Sequence, residues 1–204
     1  QERRHADLAV VWTGADVATD QGDVVARLTS QIAGGTEFIV PMGERADPQT
    51  VQFGNHVDTE PVGVLAWEAT RIASGIPRIG LDTDARTIPN EIGLYATHLD
   101  KGCYRGQETV ARVHNLGRPP RRLTMLMLDG SDAELPDPGA SVILEGRKVG
   151  QLGGVAMHHE LGPVGLALLK RNVSVDAVPT VDGVAASQTI LVDPEVGLHV
   201  RPQL

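Results

Sequence analysis

The stretch RPPRRLTMLMLDG, residues 118–130, marks the point where the sequence changes character. Two prolines, Pro119 and Pro120, are followed directly by the apolar run LTMLML. Further along, short apolar or alternating runs (SVILEG, KVGQLGGV, VGLALL and ASQTILV) are separated by Gly, Pro and Asp. Short strands with turn residues between them are typical of a small all-β barrel or sandwich. The sequence therefore predicts that residues 119–204 form a small antiparallel β-barrel domain without a long helix.

Upstream of the prolines, residues 1–118 mix helical, strand and loop patterns. Residues 20–32, DQGDVVARLTSQI, place apolar residues at helical spacing before Gly34 and Gly35, so we predict a helix there and a strand at 36–40, TEFIV. A second helix is predicted for residues 61–74, because a proline opens it and Gly75 falls just past its end. Residues 76–90 lose regular periodicity and predict an ordered loop. The fold class is therefore α+β: an α/β region at 1–118 followed by the barrel.

A short helix is predicted after Gly106, where Glu108 and Arg112 stand four residues apart. Glutamate upstream of arginine at that spacing favours a helix.

Composition excludes several classes of protein. Of the 204 residues, 41% are hydrophobic but only 3% are aromatic, so the core must be aliphatic. The net charge of −8 argues against direct nucleic-acid binding. No apolar run approaches the ~20 residues of a membrane span. A single cysteine cannot form an internal disulfide, which fits a reducing cytoplasm.

That single cysteine, Cys103, is the first candidate for chemistry. Gly102 and Gly106 lie close to it, and Lys101 and Arg105 stand two residues away on either side. In an extended stretch these three side chains share one face, and cations beside a thiol favour the reactive thiolate. A buried, inert cysteine is the alternative. We predict a reactive thiol.

Glu68 is the second candidate. On the predicted helix it falls inside an apolar stripe that runs through Val64, Leu65, Ala69, Ile72 and Ala73. A buried carboxylate is costly unless donors satisfy it, and a planar donor edge, such as the amino-pyrimidinone edge of a pterin, would satisfy both oxygens. An internal pair with Arg71 or Arg78, or exposure to water, is the alternative, and residues alone slightly favour that alternative.

Other site chemistries find no support in the sequence. His98, Cys103 and His114 match no compact zinc spacing, so no metal site is predicted. No phosphate loop and no nucleophile elbow are present.

KGCYRGQE, residues 101–108, resembles the signature of the YgfZ-type folate-binding proteins, which act in iron–sulfur cluster assembly or maintenance and in tRNA modification. Residues 67–91, WEATRIASGIPRIGLDTDARTIPNE, are similar to a segment that these proteins share with the glycine-cleavage T-proteins. Residues 146–173, GRKVGQLGGVAMHHELGPVGLALLKRNV, resemble the C-terminal barrel of that superfamily. The resemblance implies that residues 1–118 are the remainder of an α/β folate-binding domain whose N-terminal portion the chain lacks.

The resemblance also implies roles for individual residues. Cys103 matches the functional cysteine, with Lys101 and Arg105 beside it. Glu68 matches a helix glutamate that faces the pterin of tetrahydrofolate, which turns the preference for Glu68 toward a functional role. The remaining expected folate-binding residues are the motif neighbours Gly102, Tyr104, Gly106, Gln107 and Glu108.

Three functions follow as hypotheses. The first is a cytoplasmic, tetrahydrofolate-binding accessory protein that uses Cys103 and has iron–sulfur proteins or their assembly factors as partners. The second is a tetrahydrofolate-dependent aminomethyltransferase, although T-proteins lack the motif cysteine. The third is a barrel interaction module with a vestigial folate pocket.

Overall fold

The computed structural model describes residues 8–13, 26–29, 35–41, 63–94, 102–116, 119–130 and 134–195. Within these ranges, no helix is long and apolar enough to cross a membrane.

A three-stranded antiparallel sheet contains β1 (Leu8–Thr13), β2 (Ala26–Thr29) and β3 (Thr36–Pro41), in the order β1-β3-β2. β3 confirms the strand predicted at 36–40. The helix predicted for 20–32 is wrong at Ala26–Thr29, which pairs with β3 from Ala26 opposite Ile39 to Thr29 opposite Thr36. Backbone pairing with a nearby strand outweighs the helical propensity of Ala, Arg and Leu in this segment, because tertiary context overrides local propensity. The rest of that predicted helix lies outside the described residues.

The helix α1 (Val64–Ala73) confirms most of the helix predicted at 61–74, whose first residues lie outside the described ranges. Its buried residues are Ala69, Arg71 and Ile72. Val64 and Leu65, placed on the apolar stripe by the sequence, are instead 68% and 78% exposed. The helix therefore packs through its second half, and the ring of Trp67 lies 5.8 Å from that of Trp12 in β1.

The loop predicted at 76–90 lacks regular structure until a 3-10 turn at Pro89–Ile92. The helix predicted after Gly106 is α2 (Gln107–Leu116). α2 contacts the 3-10 turn, which in turn contacts the first strand of the barrel.

Six strands form a closed barrel in the order β4-β7-β6-β5-β8-β9. They are β4 (Arg121–Leu128), β5 (Ser141–Leu144), β6 (Arg147–His158), β7 (Gly162–Lys170), β8 (Thr180–Val181) and β9 (Val184–Ile190). All of their pairings are antiparallel. The α+β fold with a C-terminal antiparallel barrel is thus confirmed, and the described residues 121–130 and 134–195 contain no helix.

The barrel wall is apolar on both faces. Leu126 and Leu169 belong to a cluster that fills the interior. Leu123 and Leu166 belong to a second cluster, which also contains Ala69 and Ile72 of α1. Because β4 and β7 are covered on both sides, their sequences read as nearly continuous apolar runs rather than as an alternation.

Candidate functional site

A cluster of charges, buried except at Arg78, joins α1 to the barrel, and we call Glu68, Arg71, Arg78 and Asp82 the Arg71 cluster. The Nε and Nη2 atoms of Arg71 donate to Oε2 of Glu68 at 3.2 and 2.8 Å. Its Nη1 atom donates to Oδ2 of Asp82 at 2.8 Å and to the carbonyl oxygen of Ile76. One buried guanidinium therefore connects the helix, the turn after it and the following loop.

Asp82 connects the cluster to the barrel. Its side chain is fully buried. It accepts hydrogen bonds from the backbone N–H of Arg78 at 2.7 Å and from that of Gly154 in β6 at 2.6 Å. A carboxylate with an arginine and two backbone donors has its charge compensated, so its burial is tolerated.

Two adjacent glycines make this close approach possible. A Cβ atom on Gly153 would lie 2.8 Å from the Cα atom of Asp82, and one on Gly154 would lie 2.6 Å from Nη2 of Arg71. Any side chain at either position would push the loop or the arginine away from β6.

Glu68 has both carboxylate oxygens engaged. Arg71 holds Oε2, and Nη1 of Arg78 donates to Oε1 at 2.7 Å. This is the internal pairing that the sequence left open, made with both arginines. The two partners differ, because the side chain of Arg71 is 5% exposed and that of Arg78 is 55% exposed. Oε1 is therefore the carboxylate oxygen whose partner is exposed, whereas Oε2 is bound by the buried Arg71.

Cys103 lies at residues 102–104, which have no regular secondary structure, just before α2, and it is exposed. Gly106 has φ +85°, a conformation that favours glycine, and its carbonyl oxygen accepts the first hydrogen bonds of α2. The Oε1 atom of Gln107 accepts from the backbone N–H of Tyr104 at 3.2 Å. Two motif residues thus shape the turn that presents the thiol.

The other motif residues are placed more simply. Arg105 and Glu108 are exposed, as is Gly102, and Lys101 lies outside the described residues. α1 contacts β6 and β7, whereas α2 contacts the 3-10 turn. That Glu68 and Cys103 line one cavity stays a prediction.

A second ion-pair cluster, Asp84, Glu91 and Arg121, fixes the loop and the 3-10 turn to β4. Arg121 donates to Asp84 at 2.7 Å through Nη1 and to Glu91 at 2.8 Å through Nη2. The hydrogen bond from Arg121 holds the pKa of Asp84 well below its usual range, and Asp84 and Glu91 raise the pKa of Arg121. Both groups of the exposed pair stay charged at any physiological pH.

Sequence reasoning missed the roles of Asp82, Gly153 and Gly154. A signal was present, since two consecutive glycines inside a strand pattern indicate close approach of another backbone. The partner that approaches, an aspartate 72 residues away in the chain, has no local sequence signal.

Comparison with known proteins supports the resemblance drawn from the motif. No family model matches the chain. A putative chloroplastic transferase of Arabidopsis thaliana is 37% identical over 93 residues, which cover 45% of this chain and 21% of that protein. The tRNA-modifying protein YgfZ of Colwellia psychrerythraea is 36% identical over 80 residues, covering 38% of this chain and 24% of the relative. YgfZ of Escherichia coli is 37% identical over 82 residues, covering 39% and 24%.

Among solved structures, the glycine cleavage system aminomethyltransferase T of Bartonella henselae matches with a TM-score of 0.60 over 80% of this chain and 47% of that one. At 17% identity this likeness shows the fold alone. The expected similarity to YgfZ-type proteins and to the T-protein fold is confirmed. The matched region spans less than a quarter of the length of these curated relatives.

Proposed function

We propose that the protein binds tetrahydrofolate or a derivative in the cytoplasm and supports iron–sulfur cluster assembly or repair, and the associated tRNA modification, through the thiol of Cys103. The observation that carries the proposal is the exposed thiol held just before α2 by a motif that resembles YgfZ-type proteins. The name of two relatives, tRNA-modifying protein YgfZ, supports the connection to tRNA modification. Iron–sulfur proteins or their assembly factors are the proposed partners.

In this proposal Glu68 binds the pterin edge and Cys103 is the reactive group. Lys101 and Arg105 favour the thiolate form of Cys103. The hydrogen bonds of Glu68 are compatible with this role. Among the described residues, the exposed Arg78 is the partner of Oε1 of Glu68, whereas the buried Arg71 binds Oε2, so a donor on the pterin edge would replace Arg78 at Oε1. Gly102, Tyr104, Gly106, Gln107 and Glu108 are proposed to line the folate site beside the thiol.

Titration with tetrahydrofolate by calorimetry tests the role of Glu68. Glu68→Gln removes the charge that a pterin would need, so affinity should fall by about tenfold, the effect of about 1.4 kcal/mol. Arg78→Ala frees Oε1 and should raise the affinity. If Glu68 only held the helix in place, Arg78→Ala would not strengthen binding, and a loss of affinity in Arg78→Ala would contradict the assignment.

The thiol is tested separately, because Cys103 is the only cysteine and every alkylation event reports on it. Its alkylation near neutral pH should be faster than that of a model thiol, and the substitutions Lys101→Ala and Arg105→Ala together should slow it. Cys103→Ser should keep the fold and folate affinity but fail to restore iron–sulfur enzyme activity in cells that lack the protein. Full rescue by Cys103→Ser would make Cys103 a structural residue.

A T-protein-like aminomethyltransferase is the second candidate, favoured by the fold match over 80% of the chain. Transfer of a one-carbon unit from a lipoyl-bound donor to tetrahydrofolate would not need the thiol. Aminomethyltransferase activity that survives Cys103→Ser would support this candidate over the first.

A further inference from the structure

A groove of about 1040 Å³ runs between the loop after α1 and the outer face of the barrel. Residues 79–86 form one wall, and β6 with the adjoining ends of β4 and β7 forms most of the other. Neither Glu68 nor Cys103 lines it. Small-molecule clefts typically enclose about 300–1,000 Å³, so this groove has room for a ligand larger than a single ion.

Three exposed cations border the groove: Arg86 on the loop wall, and Lys148 and Lys170 on the barrel wall. Gly150 pairs with Leu169 where β6 meets β7. Lys148 is two residues before Gly150 and Lys170 follows Leu169, so the two lysines stand near each other on adjacent strands. None of the three side chains forms an ion pair with another described residue.

The acidic residues that line the groove are already engaged. Asp82 is bound by Arg71 and by the backbone N–H of Gly154, and Asp84 is bound by Arg121. The three free cations therefore lack compensation from within the groove, although the whole protein carries a net charge of −8. An anionic ligand would relieve their mutual repulsion.

Apolar side chains lie among these charges. Ile79, which is 91% exposed, stands at the loop wall, and Leu81 and Leu168 also line the groove. The groove therefore offers a partner both charged side chains and an exposed apolar side chain.

We propose that this groove binds an extended acidic segment of a partner protein, with carboxylates against Arg86, Lys148 and Lys170 and an apolar residue against Ile79. The proposal does not depend on folate binding or on Cys103. Single-stranded nucleic acid fits less well, because none of the described residues that line the groove is aromatic and bases would find no ring to stack on. A single inorganic anion fits less well too, because the cations are exposed and stand on opposite walls.

Fluorescence anisotropy at low ionic strength tests the proposal with the labelled peptide Glu-Glu-Leu-Glu-Glu. The double substitution Lys148→Ala with Lys170→Ala should weaken binding by about tenfold, and added salt should weaken binding to the unsubstituted protein. The matched control is Arg147→Ala, since Arg147 is exposed beside Lys148 but does not line the groove. Its effect should stay within about twofold, because rim charges outside the contact matter little.

The apolar contact has its own test. Glu-Glu-Leu-Glu-Glu should bind more tightly than Glu-Glu-Ser-Glu-Glu, and Ile79→Ser should abolish that preference without affecting the melting temperature, because Ile79 is exposed. The proposal is overturned if the peptide does not bind, or if Arg147→Ala weakens binding as much as the double substitution. Tighter binding of a single-stranded RNA at the same lysines would also overturn it, as would displacement of the peptide by inorganic phosphate at equal charge concentration.

Discussion

Arg71 and Arg122 are both buried, with 4% and 1% of their surface exposed, but their surroundings differ. Arg71, between α1 and the barrel, is bound by the carboxylates of Glu68 and Asp82. Arg122 is bound by neutral acceptors, at 2.8 Å to Oε1 of Gln188 and at 3.3 Å to the carbonyl oxygen of Val173. Its Nε atom has no hydrogen-bond partner among the described residues.

The difference separates two ways of burying a cation. At Arg71 the charges compensate one another, so removing one member leaves the others unpaired in a dry interface. At Arg122 no described carboxylate depends on the guanidinium, and burial lowers its pKa from the usual value. Removing the charge of Arg71 should therefore lower the free energy of unfolding strongly, whereas removing the charge of Arg122 should lower it only a little.

The largest expected effect on stability is that of Arg71→Met, and Arg122→Met is the comparison. Arg71→Met leaves the fully buried Asp82 without its arginine and should lower the free energy of unfolding by about 3–5 kcal/mol. Arg122→Met removes an incompletely satisfied charge and leaves only neutral acceptors, so it should cost about 1 kcal/mol. Urea unfolding of both variants measures the difference. Equal losses would mean that compensation of charge does not distinguish the two regions.

A smaller effect is expected where the barrel meets the Arg71 cluster. Gly153→Ala places a Cβ atom 2.8 Å from the backbone of Asp82 and should lower stability by about 1–3 kcal/mol, the range for overpacking. Gly63→Ala is the matched control, since a Cβ atom there would meet nothing within 4 Å. Thermal unfolding compares the two, and similar melting temperatures would show that the loop moves away from β6 without cost.

The smallest effect concerns the exposed ion pair of the second cluster. The folded-state pKa of Asp84 lies below its unfolded value, so its stabilisation is present above about pH 4 and is lost as the pH falls through the folded pKa. Because the side chain of Asp84 is 51% exposed, Asp84→Asn should cost only about 0.5–1 kcal/mol at pH 7. The difference in unfolding free energy between the two proteins should shrink as the pH is lowered from 7 towards 2, and a constant difference would contradict the assignment.

Much of the fold was predictable because its signals are local. Turn residues between short apolar runs predicted the barrel, proline and glycine at its two ends predicted α1, and Gly106 predicted the start of α2. The helix predicted at 20–32 failed at β2, because the segment has helical spacing but its backbone pairs with β3, and spacing within one segment does not report on a partner strand.

The candidate site was predictable in part. Glu68 was identified because its charge conflicts with the apolar spacing of its helix, and Cys103 because glycines and cations surround it. The sequence predicted that Arg71 or Arg78 could pair with Glu68 but not which one, since the spacing of residues on a helix does not specify which arginine reaches a carboxylate. The structure uses both, one buried and one exposed.

The amino-acid sequence by itself determined the barrel and the helices on either side of the loop at residues 76–90. It also predicted that the thiol of Cys103, with glycines close to it, is exposed. Only the tertiary structure decided that Asp82 meets Gly154, that Arg71 is buried between two carboxylates and that three cations border one groove. The physical reason is the distance along the chain over which each interaction acts. Backbone preferences act over a few residues, whereas burial and charge compensation depend on groups that the closed barrel brings together from distant parts of the chain.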